Sequence, residues 1–329
     1  MKRPTRSSEF DLIRRFFAPL ASGEPGAFAL RDDAAVLTVE AGLRLVVTTD
    51  TMVSGVHFLA NDPPALIATK LLRVNLSDLA AMGAAPFAFT LNTALPAEID
   101  DTWLADFAAG LGEDQERFGI SLVGGDTVAI SGPLTLTLTA FGKVEEGREL
   151  RRASAQPGDD IYVSGTIGDA ALGLLVLTGA LNGLSESEAA QFTGRYHKPE
   201  PRVALGRGLA GLAHAACDIS DGLIADLGHI CEASGMAAVI DAAKIPLSPA
   251  ARAALAIDGE LLGTILGGGD DYELLFSAPA ENAPEITIMA ANSGIAVSAI
   301  GTIVSGTGVT VKDAKGNAID IQNPGYRHF

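Results

Sequence analysis

Aspartates recur in this chain just after apolar runs or beside glycine. They stand at Asp32-Asp33, Thr48-Thr49-Asp50, Asn75-Leu76-Ser77-Asp78, Gly124-Gly125-Asp126, Asp218-Ile219-Ser220-Asp221-Gly222 and Gly268-Gly269-Asp270-Asp271. A carboxylate at a strand end can project into a cleft without lying in the core, and neighbouring glycines let a main chain approach a phosphate closely. Two carboxylates 4 Å apart repel by about 4 kcal/mol at an effective dielectric of 20, so their convergence requires a proton or a cation. Carboxylates with Thr and Ser hydroxyls nearby favour Mg2+ or Mn2+, and the lack of clustered Cys and His argues against zinc. Magnesium held by a few carboxylates completes its shell with water and substrate phosphate, which points to nucleotide chemistry. One Asp after Gly is ordinarily a turn or cap residue, so the recurrence carries the reading. That ordinary reading is strongest for Asp32, Asp221 and Asp271, each beside a neighbour able to take the functional role. The chain has neither a G-x-x-x-x-G-K-[ST] loop nor the glycine-rich, H-R-D and D-F-G set of protein kinases, so another design must hold the nucleotide.

Strands and helices must position these turns. Leu43–Thr48 reads as a buried strand, Phe87–Leu95 and Ile120–Val123 as two more, and Leu134–Ala140 alternates Leu with Thr so that one face is apolar and the other polar. Asn61/Asp62 with Pro63 and Pro64 open a helix whose Ile67, Leu71, Val74 and Leu79 keep helical spacing, with Gly83 and Pro86 as its stop. A second helix is expected over Asp101–Phe118, ended by Gly119. Further on come a strand at Ile161–Ser164, a helix from Asp169, a capping box at Ser185 and Glu188, and helices near Arg202–Ala213 and Gly222–Ala233. Strands follow at Ala237–Ile240, Glu273–Phe276 and Ala296–Ile303. The irregular alternation predicts an α+β fold of two mixed α/β domains with largely antiparallel or mixed sheets. The charged, Gly- and Pro-bearing stretch Glu145–Asp160 separates them, giving domains 1–147 and 148–329.

The chain's 329 residues suit two domains, and 40 acidic against 23 basic residues give a net charge of −17 that disfavours nucleic acid and anionic lipid. Apolar stretches are interrupted before the ~18–20 residues of a membrane span. The start, Met1-Lys2-Arg3-Pro4, is followed by polar residues rather than a signal core, so a cytoplasmic enzyme is expected. Cys217 and Cys231 lack paired metal spacing and read as buried fillers.

In order, ALRDDAAV, TTDTMVSGVHF, NLSDLAAMGA, GGDT, RRASAQPGD, DISDGLIADLGHI and GGGDDYELLF resemble the signature series of the thiamine-monophosphate kinase family, within the aminoimidazole ribonucleotide synthetase-like superfamily. The resemblance spans most of the chain. It implies a homodimer joined through the N-terminal sheet, ATP and several Mg2+ ions in a cleft between the domains, and direct transfer of the ATP γ-phosphoryl group to thiamine monophosphate. It makes Asp33, Thr48, Thr49, Asp50, Asp78, Asp126, Asp218 and Asp221 metal ligands. Gly125, Asp126, Arg152 and Ser220 fall at nucleotide positions, and His57 and Asp270 at acceptor positions. Asp50 and Asp126, which follow apolar strands, are expected nearest the transferring phosphoryl group.

Three departures bear on the acceptor pocket: Arg31 in place of a glycine, Asp270 in place of a glutamate, and Asn323 in place of an aromatic residue. A selenophosphate synthetase would need a reactive cysteine near its start, and none precedes Cys217. A hydrogenase-maturation relative would end in a cysteine-bearing tail rather than Tyr326-Arg327-His328-Phe329. A nucleotide-binding module without turnover is the reading from a different class.

Overall fold

A computed structural model describes residues 7–327; the basic start read at Met1–Pro4 and the final His328 and Phe329 lie outside the described residues. The chain divides into two compact units. One is the chain up to Leu79 with Ala84–Glu146, the other Ala80–Gly83 with the chain from Gly147 onward.

The first unit opens with helical turns, α1 (Glu9–Leu12) and others ending at Leu30, then runs β1 (Leu43–Val53), α2 (Pro64–Ala81), β2 (Ala85–Leu95), α3 (Asp101–Phe118), β3 (Ser121–Ala129) and β4 (Thr135–Glu145). Its four-stranded sheet has the order β1-β4-β2-β3, with β2 and β3 parallel and the other pairs antiparallel. The Leu/Thr alternation has the predicted effect: Leu136, Leu138 and Ala140 are buried, while Thr137 and Thr139 face the other way and meet the hydroxyls of Thr51 and Thr49 at 2.8 and 3.0 Å. Helix α2 lies on the apolar face, so close that a Cβ on Gly142 would come within 3.0 Å of Leu79 Cδ2. Arg73 of α2 donates two hydrogen bonds to Asp114 of α3, at 2.7 and 2.8 Å, both residues being buried. That bidentate pair fixes α2 against α3.

One boundary differs from expectation. Pro86 does not stop α2 but lies within β2, whose pairing with β3 begins only at Ala88. On that side a residue without an N–H forgoes no ladder bond. Gly83, with φ +71°, makes the turn instead.

The second unit contains β5 (Asp160–Ser164), α4 (Asp169–Leu177), α5 (Glu186–His197), α6 (Val203–Leu209), β6 (Ala215–Asp218), α7 (Leu223–Ser234), β7 (Ala237–Asp241), α8 (Pro249–Ile257), α9 (Leu261–Gly267), β8 (Leu274–Ala278), α10 (Ala283–Ser293), β9 (Val297–Val304), β10 (Gly308–Lys312) and β11 (Ala318–Ile319). Its seven-stranded sheet, β11-β10-β7-β9-β5-β8-β6, is antiparallel except at β7/β10, so the fold is the expected α+β with mixed sheets. The capping box at Ser185 and Glu188 is formed. Cys217 and Cys231 are buried, and burial pushes both thiols up, Cys231 to about 11, which leaves them unreactive.

Candidate active site

Because side chains alternate along a strand, Thr48 and Asp50 of β1 share a face and Thr49 takes the other. Asp50 stands opposite Leu138 in the register, on the helix-covered side, where Asp78 of α2 meets it. Thr48 Oγ1 donates a hydrogen bond to Asp78 Oδ2. Burial, then the charge of Asp78, then a hydrogen bond with it push the Asp50 carboxyl up to about 7. Two carboxyls in contact thus retain a proton near neutrality that a divalent cation would replace. Thr49 is not brought to this group: its hydroxyl donates to the Leu138 carbonyl at 3.2 Å and accepts from Thr139.

Two further acids line one cleft beside β3. Gly125 has φ +153°, and a Cβ there would lie 1.8 Å from the Leu91 carbonyl oxygen, so the strand can pass β2 only as glycine. The next residue, Asp126, is exposed and level with Asn92. In this register Asp126 shares the face of Asn92 and Thr137, whereas Asp50 shares that of Leu138 and Leu91. A cleft of about 480 Å³ brings Asp33 to Asp126, lined also by Gly124, Thr127 and the apolar Phe17 and Phe141. Arg31 has φ −110°, a conformation open to any residue, so the loop does not require the missing glycine. The left-handed turn comes earlier, at Phe28, Ala29 and Leu30.

His57 follows β1 in a turn made by Gly55, whose φ is +81°. Its Nδ1 accepts from the Val53 N–H at 3.1 Å, and its carbonyl accepts from Lys70 Nζ at 3.1 Å. The first bond orients the half-buried ring, and the second holds the main chain that carries it.

In the second unit, Asp218 ends β6 and is buried, and the turn Ser220–Gly222 leads into α7. Asp226, four residues beyond Gly222, accepts with Oδ2 from the N–H groups of Ser220, Asp221 and Gly222 at 3.1, 3.0 and 3.1 Å. Burial and then the charge of Asp221 push Asp226 up to about 7 against those donors and Arg152. Ligand atoms of Asp221, Asp226 and His229 lie within 4.8 Å of one another. Sequence reading missed Asp226 and His229. An acid in a helix's first turn, four residues past a glycine-bearing turn, is the signal that could have found Asp226. Arg152 is exposed, yet its charge lowers the pKa of both Cys217 and Asp226, so it is the cation beside this acidic turn.

Asp270 follows Gly269, where a Cβ would lie 2.3 Å from the Ser220 carbonyl oxygen, and its own N–H donates to that oxygen at 2.9 Å. With φ +72°, this position suits the shorter Asp better than Glu, since Asp tolerates the left-handed region. Asn323 packs its carbonyl against Gly267, and the N–H of Tyr326 donates to the Asp221 carbonyl at 2.9 Å. Tyr326 is half exposed, and its main chain is tied to this turn.

Residues 31–144 match the family described as AIR synthase related protein, N-terminal domain, and residues 156–314 match its C-terminal domain. The chain is 43% identical to a thiamine-monophosphate kinase of Caulobacter vibrioides over 98% of its length and 91% of the relative's. It is 41% identical to one of Salmonella typhimurium, covering 98% of each. Among solved structures, thiamine-monophosphate kinase from Stenotrophomonas maltophilia K279a superposes with a TM-score of 0.81 at 45% identity, over 88% of this chain and 91% of that one. A structure described as AaThiL complexed with AMPPCP and TMP gives 0.78 at 29% identity, over 97% and 96%.

Proposed function

Because the chain belongs to the AIR synthase related family and, within it, to the thiamine-monophosphate kinases, we propose that its acidic turns and the residues beside them gather ATP and thiamine monophosphate for reaction. The chain is an ATP-dependent kinase that phosphorylates thiamine monophosphate to thiamine diphosphate. The bond between the ATP γ-phosphorus and the β,γ-bridging oxygen breaks, a phosphate oxygen of the acceptor bonds to that phosphorus, and ADP leaves.

The observation that carries the metal-dependent reading is the contact of Asp50 with Asp78, two carboxyls whose burial and mutual charge push Asp50 up and which a divalent cation would relieve. Such an oxygen-only set fits Mg2+. Asp33, Thr48, Asp50, Asp78 and Asp126 in the first unit, and Asp218 and Asp221 in the second, would hold several ions; Thr49 would join only through its main chain. Bound magnesium would neutralise charge on the ATP phosphates and the transferring group. Asp50 and Asp126, which face opposite sides of the sheet and would hold different ions, are the candidates for the ions nearest that group, and Gly125, Arg152 and Ser220 for nucleotide contact. A phosphate monoester is already largely ionised near neutrality, with a second pKa of ~6, so the acceptor needs orientation rather than a base. His57 suits its phosphate, and the Asp270 carboxylate suits its cationic thiazolium.

Residues 1–147 act in this reading as the metal-binding, ATP-binding and dimerising domain, and 148–329 as the domain that completes the site. Homodimerisation is supported by exposed Leu45 and Val47 on edge strand β1 and Val128 on edge strand β3. No helix among the described residues is long and apolar enough to cross a membrane, and a cytoplasmic setting agrees with the use of ATP. The deciding experiment measures ADP release with ATP, Mg2+ and thiamine monophosphate. Release that needs all three supports the reading, and equal release without thiamine monophosphate refutes it.

A further inference from the structure

Between α9 and β8 the chain runs Gly268–Glu273 in an alternating pattern. Asp270 and Tyr272 have left-handed backbones, with φ +72° and +50°, and Asp271 and Glu273 are fully buried. Each such conformation costs a non-glycine residue about 1 kcal/mol or more, so contacts outside the pair must hold it. On one side are the main-chain bonds of Asp270 to Ser220 and of Tyr272 N–H to the Ile219 carbonyl at 2.8 Å.

On the other side is a buried side-chain network. Asp271 Oδ2 accepts from the Gly168 N–H at 2.8 Å. Glu273 Oε2 accepts from Ser164 Oγ at 2.5 Å and Arg202 Nε at 2.6 Å, and Oε1 accepts from Arg202 Nη2. Arg202 therefore forms a bidentate pair with Glu273. Arg195, from α5, adds something else: its Nη2 donates to Glu273 Oε1 at 2.8 Å and to the main-chain carbonyl of Asp271 at 3.1 Å. That carbonyl lies between the two left-handed residues. Burial pushes the Asp271 carboxyl up and the charge of Arg195 draws it down, but the hydrogen bond from Arg195 goes to the Asp271 main chain rather than to that carboxyl. One guanidinium nitrogen thus ties the turn's main chain to the buried end of β8.

We propose that Arg195 is a positioning residue for the acceptor: by gripping the Asp271 carbonyl and Glu273 together, it sets the left-handed turn that presents Asp270. This rests on the reading that Asp270 faces thiamine monophosphate. Arg195→Lys keeps a positive charge but cannot reproduce the guanidinium geometry, and Glu273 keeps Arg202, so the buried acid is not stranded.

The test uses the full-length protein and compares wild type, Arg195→Lys, Asp270→Ala and the double variant. The readouts are kcat and KM for thiamine monophosphate, with ATP affinity measured by calorimetry without acceptor. Arg195→Lys should raise the acceptor KM roughly tenfold while kcat and ATP affinity stay within about twofold, and the increase should vanish in the Asp270→Ala background, as expected of coupled residues. A folded Arg195→Lys with unchanged acceptor KM overturns the proposal while leaving Asp270 in its role. So does a tenfold increase that persists without Asp270, or an equal loss of ATP affinity. An Asp270→Ala variant with normal acceptor KM overturns both readings.

Discussion

Asp50→Asn should make the metal-free protein more stable at pH 8 while destroying its turnover. Asp50 has an ordinary value of 3.8 when unfolded and about 7 when folded. Between these values the folded chain binds more protons than the unfolded one, so stability falls as pH rises through the window and levels off above about pH 7. The full shift of about 3 units corresponds to roughly 4 kcal/mol. Asp50 is only half buried, so solvent and salt screen the penalty, and about 2 kcal/mol is the expected gain for the variant. Asparagine keeps the size of the side chain and offers Asp78 an N–H without adding a charge. Urea unfolding in EDTA at pH 4, 6 and 8 measures the effect. The two proteins should be nearly equal at pH 4, diverge at pH 6 and differ most at pH 8. With Mg2+ and ATP the wild type should regain the deficit, and below pH 7 its metal binding should release a proton that calorimetry in two buffers detects. An Asp50→Asn protein no more stable than wild type at pH 8, or a difference independent of pH, would refute the claim that carboxylate crowding sets this site.

ATP should bind weakly in EDTA, and tight metal-free binding by calorimetry would contradict the cation reading. Asp126→Asn should cut turnover at least a hundredfold while shifting the urea midpoint by under about 0.5 kcal/mol, because Asp126 is exposed. Gly125→Ala, which drives a Cβ into the Leu91 carbonyl, should cost roughly 3 kcal/mol in the same unfolding assay. His57→Ala should raise the KM for thiamine monophosphate with ATP affinity nearly intact; a matched loss of both would make His57 a support of the metal set. Incubation with γ-labelled ATP and no acceptor should leave the protein unlabelled, as direct transfer requires, and a chemically competent phospho-protein would overturn it.

Legibility in the sequence tracked the range of the interactions. The Leu/Thr alternation of β4 announces its faces because a strand's period is local, and Asp101–Phe118 is bounded as expected because its cap, Asp100, and its stop, Gly119 with φ +63°, are adjacent residues. Pro86 misled because whether proline breaks a segment depends on which neighbour strand is present at that level, which is tertiary information. The short strands β6, β10 and β11 are too brief to show a period, and pairing across the sheet decides their state, whereas α8 and α10 carried signals that went unread, Ser248-Pro249 at the start of one and Gly294 at the end of the other.

The acidic turns were legible as types of residue, but not as partners. Thr48-Thr49-Asp50 reads as one ligand string, yet strand alternation sends Thr49 to Thr139 and leaves Thr48 and Asp50 facing Asp78. The same limit hid Asp226, which acts on the turn before it through three main-chain donors, and the Arg195–Glu273–Arg202 cluster. These buried groups carry their own desolvation cost, so burial alone does not account for them. What they share is an attachment to main chain that a local conformational preference would not hold: the Ser220–Gly222 turn and the left-handed pair Asp270 and Tyr272. Asp226, Asp271 and Glu273 therefore sit where a turn bearing candidate ligands must be held against its own strain, and the half-buried Asp221 and Asp270 at those turns depend on acids that solvent scarcely reaches.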